Sequence, residues 1–365
     1  MKIRCLRVSI VLGCAALFSS DPALAQFLQH GPKLVGTGAV GNALQGRSVS
    51  ISGDGNTAIV GGILDNNQAG AAWVWTTNGD VWTQQGNKLV GSGAVGAANQ
   101  GTSVSLSADG NTAIVGGYFD NNQAGAAWVW TRSGGVWTQQ GNKLVGTGAV
   151  GNSARRGWSV SLSADGNTAI VGGYGDNAAN GAAWIWTRSG GVWIQQGSKL
   201  VGTGAVSGVG NAWQGWSVSL SANGDTAIIG AVADNSNTGA VWAWKRSGGI
   251  WSQESPKLTA SGNVGSALVG NSVSLSADGN TALVGGSGGD GATWVWTRSG
   301  GIWTQQGDKL VGAGAVGGAQ QGTSVSLSAD GNKALVGGPL DKGFAGAAWL
   351  FIDTPFPTRH RAVRH

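Results

Sequence analysis

The stretch GTSVSLSADGNTAIVGGYFDNNQAGAAWVWTRSGGVWTQQGNKLVG, Gly101 to Gly146, recurs with edits through almost the whole chain. Its anchor, G-x-S-V-S, begins at Gly46, Gly101, Gly157, Gly215, Gly270 and Gly322, with spacings of 55, 56, 58, 55 and 52 residues. A period of this length marks one supersecondary unit repeated six times.

Within the unit the side-chain pattern predicts four strands. In Ser103 to Ser107 apolar and small polar residues alternate with period 2, as in a strand with one face buried. Asp109-Gly110 then supplies the positive φ of a tight hairpin. Thr112 to Gly116 is a continuous apolar run, the mark of a strand covered on both faces. A loop from Tyr118 to Ala124 leads to Ala126 to Thr131, where Trp128 and Trp130 share one face and Ala127 and Val129 the other. Ser133-Gly134-Gly135 turns the chain into Val136 to Gln140, the most polar of the four. Polarity that rises from the first strand to the fourth fits a β-propeller blade, with the first strand at the central channel and the fourth at the solvent.

The fold expected is therefore all-β: a six-bladed propeller of four-stranded antiparallel blades over residues 26–352. The last copy stops after Trp349-Leu350-Phe351. Phe27-Leu28-Gln29-His30-Gly31-Pro32-Lys33-Leu34 aligns with Trp82-Thr83-Gln84-Gln85-Gly86-Asn87-Lys88-Leu89. The N-terminal strand is thus expected to complete the sixth blade and close the ring, which leaves no open edge.

Composition agrees with this reading. The 365 residues include 68 Gly and 19 Trp, and only 11% are charged, against roughly 25% in ordinary globular proteins. Residues 1–25 read as a secretory signal, with Lys2, Arg4 and Arg7 ahead of an apolar run (Val8 to Phe18) and an Ala23-Leu24-Ala25 cleavage site. Both cysteines, Cys5 and Cys14, lie in that leader, so export is expected without a disulfide framework. No second long apolar run exists, and a membrane-spanning protein is not expected. Cleavage would leave 19 basic against 16 acidic residues, and Arg359, Arg361 and Arg364 of the basic tail (353–365) match that excess. A nearly neutral body does not suggest nucleic-acid binding. The expected location is outside the cytoplasm: extracellular, cell-surface or periplasmic.

The units G-x-S-V-S, A-I-V-G-G and G-A-A-W-V-W resemble FG-GAP repeats, the blades of integrin α-chain propellers and of many exported bacterial proteins. The D-G-N hairpin and the R-S-G-G-x-W-x-Q segment look closest to the bacterial branch. This chain departs from the pattern in the phenylalanine before the anchor glycine, where Gln45, Gln100, Arg156, Gln214, Val269 and Gln321 stand. Integrin-type blades carry a calcium loop with several acids, but Ser52-Gly53-Asp54-Gly55-Asn56 and its copies have one. No calcium, and no other cofactor, is expected.

Function must be sought where the copies disagree. With no Cys or His in the repeat body, triads, Cys/His dyads and zinc sites have no residues to build on. Serines of the anchor recur without a base, and their hydroxyls are expected to bond neighbouring backbone. Sixteen tryptophans occupy repeated strand positions and read as packing, whereas Trp158, Trp213 and Trp216 do not. Trp158 and Trp216 fill the x of the anchor, where other copies have Arg47, Thr102, Asn271 and Thr323. The loop entering strand one and the loop between strands two and three emerge on one face. These tryptophans, with Arg155, Arg156 and Arg47, are therefore expected at one sector of the channel mouth, placed to stack on a sugar ring or hold a peptide. The acids of the second loop, Asp65, Asp120, Asp176, Asp234, Asp290 and Asp341, are expected to ring the same face. An Asn follows most of them, which suggests Asx turns, with a cation site as the alternative. The leading expectation is a non-catalytic module for a protein or carbohydrate ligand. A carbohydrate-active enzyme using the rim carboxylates and a purely structural surface protein are the alternatives.

Overall fold

The computed structural model describes residues 31–79, 81–206 and 211–353. Residues 1–25, expected to be a signal, Phe27–Gln29 of the expected latch strand and the tail beyond Asp353 lie outside the described residues.

Each anchor starts a meander of antiparallel strands, because the D-G-N and S-G-G turns reverse the chain within a few residues. Blade two shows the plan: Ser103–Leu106, Thr112–Gly117, Ala126–Ser133 and Val136–Gln139 pair in that order. Blade one uses Gln45–Ile51, Thr57–Gly62, Ala71–Thr77 and Trp82–Gln84, and blades three to five repeat the order. Blade six has three described strands, Ser324–Leu327, Lys333–Gly338 and Ala347–Ile352. Burial follows the predicted gradient: the second strand of blade two is buried throughout, and its fourth alternates between exposed and half-buried.

Both anchor serines do the work expected of small hydroxyls. In blade two, Ser103 donates to the Gly157 carbonyl of blade three at 2.9 Å, and Ser105 accepts from Leu162 N–H at 3.1 Å. The first of these bonds recurs from Ser48, Ser159, Ser217 and Ser272 to the next anchor glycine at 2.7–2.9 Å. Such close approach needs glycine in the second strand. A Cβ on Gly116 would lie 2.1 Å from the Gly157 carbonyl oxygen. Apolar cores fill the space behind the stitches, each shared by two blades: Ile59, Val74 and Leu89 of blade one pack with Val104, Val115 and Trp128 of blade two.

The sixth junction differs. Val49 and Ile51 of blade one are 70% and 59% exposed, while their counterparts Val104 and Leu106 are both 8% exposed. On blade six Leu335 and Leu350 are 48% and 53% exposed. Among the described residues no serine of blade six bonds blade one, and a cleft of about 670 Å³ lies between Ser324–Ser326 and Val49–Ile51. Six blades thus follow one another round the ring, and among the described residues five of their junctions carry the serine stitch and the sixth does not. Closure by the N-terminal strand falls outside the described residues.

Candidate functional site

The loop between strands two and three is built by a buried acid. Asp120 opens a four-residue helical turn, Asp120–Gln123, in which Asn121, Asn122 and Gln123 have φ +48°, +55° and +73°. Asparagine is well suited here because its short polar side chain tolerates the left-handed region. The Asp120 carboxylate does not cap this turn. One oxygen accepts from Val95 N–H at 2.7 Å and the other pairs with Lys143 at 2.6 Å. Asp65 with Lys88, Asp176 with Lys199 and Asp234 with Lys257 repeat the arrangement, all four acids being buried. Asp341 keeps the backbone bond, to Val316 N–H at 2.7 Å. The expected ring of rim carboxylates is corrected accordingly: these acids lock the loop to the preceding connection. Only the shortened loop of blade five leaves its acid, Asp290, exposed, beside Lys309 in a cavity of about 340 Å³. Among the described residues no cluster of three His, Cys, Asp or Glu side chains could hold a metal ion.

The Asx chemistry sits instead in the D-G-N hairpins on the opposite face. Asp278 accepts from Ser276 Oγ at 2.6 Å and from Asn280 N–H at 2.9 Å. The serine hydroxyl first, then the backbone N–H, holds its carboxyl below the usual 3.8. Blade four inverts the motif, and its exchange is compensated: Asn223 accepts the same bonds, while Asp225 pairs with Arg246 at 2.7 Å.

On the loop face the unrepeated aromatics meet. Trp158 and Trp216 lie with ring centroids 4.9 Å apart, and Trp213 stacks on Trp216 at 5.5 Å with planes 25° apart. Tyr174 fills the space between them, 4.9 Å from Trp158, 5.0 Å from Trp216 and 5.5 Å from Trp213. Tyr118 extends the group with an edge-on contact to Trp158 at 5.2 Å. The three tryptophans and Tyr118 are half-buried, whereas Tyr174 is buried. Burial raises the Tyr174 hydroxyl's pKa above its ordinary value, against the pull of Arg155. Both tyrosines of the chain join the patch although neither was among the expected site residues. Their signal is that Tyr118 and Tyr174 hold one repeat position, in the loop already expected on this face.

The three arginines divide. Arg47 reaches from blade one to the patch, its guanidinium carbon 5.9 Å from the Trp158 ring centroid. It is exposed and has no hydrogen-bond partner among the described residues. Arg155 lies over Tyr174 at 4.9 Å, donates to Gln123 Oε1 at 3.0 Å and bonds the Tyr174 hydroxyl. Arg156, expected beside it in the site, is buried and turned the other way. It donates to the Ala124 and Gly146 carbonyls, where Gln100 in blade two straps Gly91 through both its amide atoms. Arg156 is therefore a strap of the scaffold. Two neighbours in sequence point to opposite sides because Arg155 is left-handed, at φ +56°.

That backbone position is left-handed in every copy: Leu44, Asn99, Arg155, Trp213, Leu268 and Gln320 have φ between +52° and +63°. For a bulky side chain this conformation is strained. Trp213 stands where the other copies carry Leu, Asn, Arg or Gln.

No helix among the described residues is long and apolar enough to cross a membrane. No family model matches the chain, nor does any curated protein. Among solved structures it is similar to a putative 6-phosphogluconolactonase from Bacteroides uniformis ATCC 8492, with a TM-score of 0.56 at 11% identity. The match covers 84% of this chain and 85% of the other. The chain is a six-bladed β-propeller. At that identity the likeness concerns the fold alone, and the FG-GAP resemblance rests on the repeat motifs.

Proposed function

We propose that the protein is an exported, non-catalytic interaction module whose propeller presents the Tyr118–Trp158–Tyr174–Trp216–Trp213 patch to a protein or carbohydrate ligand. The observation that carries this reading is Trp213: a tryptophan held in a left-handed conformation, stacked on a second tryptophan three residues on, a pair that no other blade supplies. The left-handed position recurs in every copy, and in the others Leu, Asn, Arg or Gln stands there; what sets blade four apart is an indole there that stacks on a neighbouring ring. Flat rings offer an apolar face to a sugar or a side chain, and Arg47 adds a charged donor beside Trp158 for an acceptor or anionic group.

Several features support a binding role over catalysis. Four of the six loop acids are already engaged by lysine and backbone N–H groups. The patch itself contributes indoles, phenols and arginines. The lactonase name belongs to the structural neighbour. Export rests on the leader-like residues Lys2 to Ala25, and the near-neutral body supports ligands other than nucleic acid. Screening glycan and protein arrays with the wild type and with Trp158→Ala/Trp216→Ala tests the assignment. Loss of the wild-type hits, with the melting temperature little changed, is the expected result; hits retained at full strength would refute it.

A further inference from the structure

In five blades the acid of the second loop accepts from one backbone N–H of the connection before it. Val40, Val95, Val150, Val206 and Val316 donate to Asp65, Asp120, Asp176, Asp234 and Asp341 at 2.7–2.8 Å. In blades one to four a lysine holds the other carboxylate oxygen. Blade five keeps both donors in register. Leu310, next to Lys309, bridges Thr293 as Leu144, next to Lys143, bridges Ala127. Ser261 accepts the Trp294 indole N–H at 2.8 Å, as Ser92 accepts that of Trp128, and Val264 follows Ser261 as Val95 follows Ser92.

The acid, however, is gone from its place. At the loop entry Gly288 N–H donates to the Ala267 carbonyl at 3.1 Å, as Phe119 does to Ala98 at 3.2 Å. At the exit Gln321 N–H donates to the Asp290 carbonyl at 3.1 Å, as Arg156 does to Ala124 at 3.3 Å. Between these marks blade two has Asp120-Asn121-Asn122-Gln123 and blade five has Gly289 alone. Asp290 therefore stands at the place of Ala124, and nothing in blade five stands for Asp120. Among the described residues neither the Val264 N–H nor the Lys309 ammonium has a hydrogen bond or ion pair. Both line the cavity of about 340 Å³, together with Gly286, Gly288, Gly289 and Asp290, a size that suits a small molecule.

We propose that this cavity binds the carboxylate of a small molecule between the Val264 N–H and Lys309, and that Asp290 selects ligands that also carry an ammonium group, the class of the free amino acids. The same two donors already hold a carboxylate in four other blades, so the fold itself fixes their convergence on such a group. Both bonds are charge-assisted. Asp290 in the same lining repels a bare anion and pairs with a cation, which is how one charge favours a zwitterion over a simple acid. The site shares no residue with the aromatic patch.

The test uses the full chain and amide NMR spectra, with γ-aminobutyrate as the probe and acetate, butylamine and sodium chloride as controls. γ-Aminobutyrate should shift the Val264 amide saturably, acetate about tenfold more weakly, and the other two not at all. Lys309→Met should weaken γ-aminobutyrate by about tenfold or more, and Asp290→Asn should bring the two carboxylates to similar affinity. Replacing residues 287–290 by the sequence of residues 118–124 returns an aspartate to the two donors and should abolish the shift. An unmoved Val264 amide, full affinity in Lys309→Met, or binding retained in the folded loop replacement would each overturn the proposal. So would an equal response to butylamine, which would make the cavity a cation site of Asp290. A preference for γ-aminobutyrate that survives Asp290→Asn would overturn the selecting role of that residue.

Discussion

Trp213 stacks on Trp216 with ring centroids 5.5 Å apart, the first indole carried by a left-handed residue and the second by a strand entrance three residues later. Both positions lie in the loop that enters the first strand, and only blade four fills both with tryptophan. A stacked pair at this point of the rim holds two indoles with planes 25° apart without help from a neighbouring blade.

Replacing Trp213 by Asn, the residue blade two uses at Asn99, should relieve the left-handed strain. The relief is worth about 1–2 kcal/mol and offsets the lost ring contacts. Thermal unfolding of Trp213→Asn is expected to show stability equal to or above that of the wild type, while affinity for any array-identified ligand falls. A variant destabilised by several kcal/mol would instead make the indole a packing element.

Asp120 distinguishes a scaffold acid from a functional one. Asp120→Ala strips Lys143 and the Val95 N–H of their partner at once, and breaking a buried pair of this kind costs about 3–5 kcal/mol. Asp120→Asn keeps an acceptor for Val95 and should cost visibly less. Denaturant unfolding of the two variants checks the order. Loss of binding in Asp120→Asn at unchanged stability would return the acid to the site.

Acid should loosen the hairpin face. The carboxyls of Asp54, Asp109, Asp165, Asp278 and Asp330 all titrate below their ordinary 3.8 in the folded chain. For Asp54, Asp278 and Asp330 the serine hydroxyl bond is the first cause. For Asp109 and Asp165 burial pushes the other way and is outweighed by the hydrogen bonds. A folded value below the unfolded one contributes stability above about pH 4, which is lost as the pH falls through the folded value. Asn223 accepts the same bonds without titrating. Changing the five aspartates to Asn should therefore flatten the fall in melting temperature between about pH 4 and pH 2. A wild-type slope in that variant would place the acid sensitivity elsewhere.

How far the chain could be read depended on distance. The strands, their order and their burial gradient follow from alternation within Ser103 to Gln140, because period 2 and tight-turn residues act over a few positions. The serine stitches were also legible, since a small hydroxyl repeated in every copy has only the neighbouring backbone to meet. Trp158, Trp213 and Trp216 were identified as a group because they break the repeat.

Beyond that, the tertiary structure decided. Asp120 meets Lys143 across 23 residues and Val95 across 25, and nothing in the local pattern separates a buried ion pair from an exposed rim acid. Arg155 and Arg156 are adjacent and of one chemistry, yet a left-handed φ sends one to Tyr174 and the other beneath the scaffold. Tyr118 and Tyr174 join the tryptophans because the loop leaving one blade's second strand lies over the entrance of the next blade's first. The sequence by itself determined that six like units stack and which residues depart from the repeat. Which of those departures share a surface was settled by the turn of the ring, which brings residues some 40 to 60 positions apart into contact.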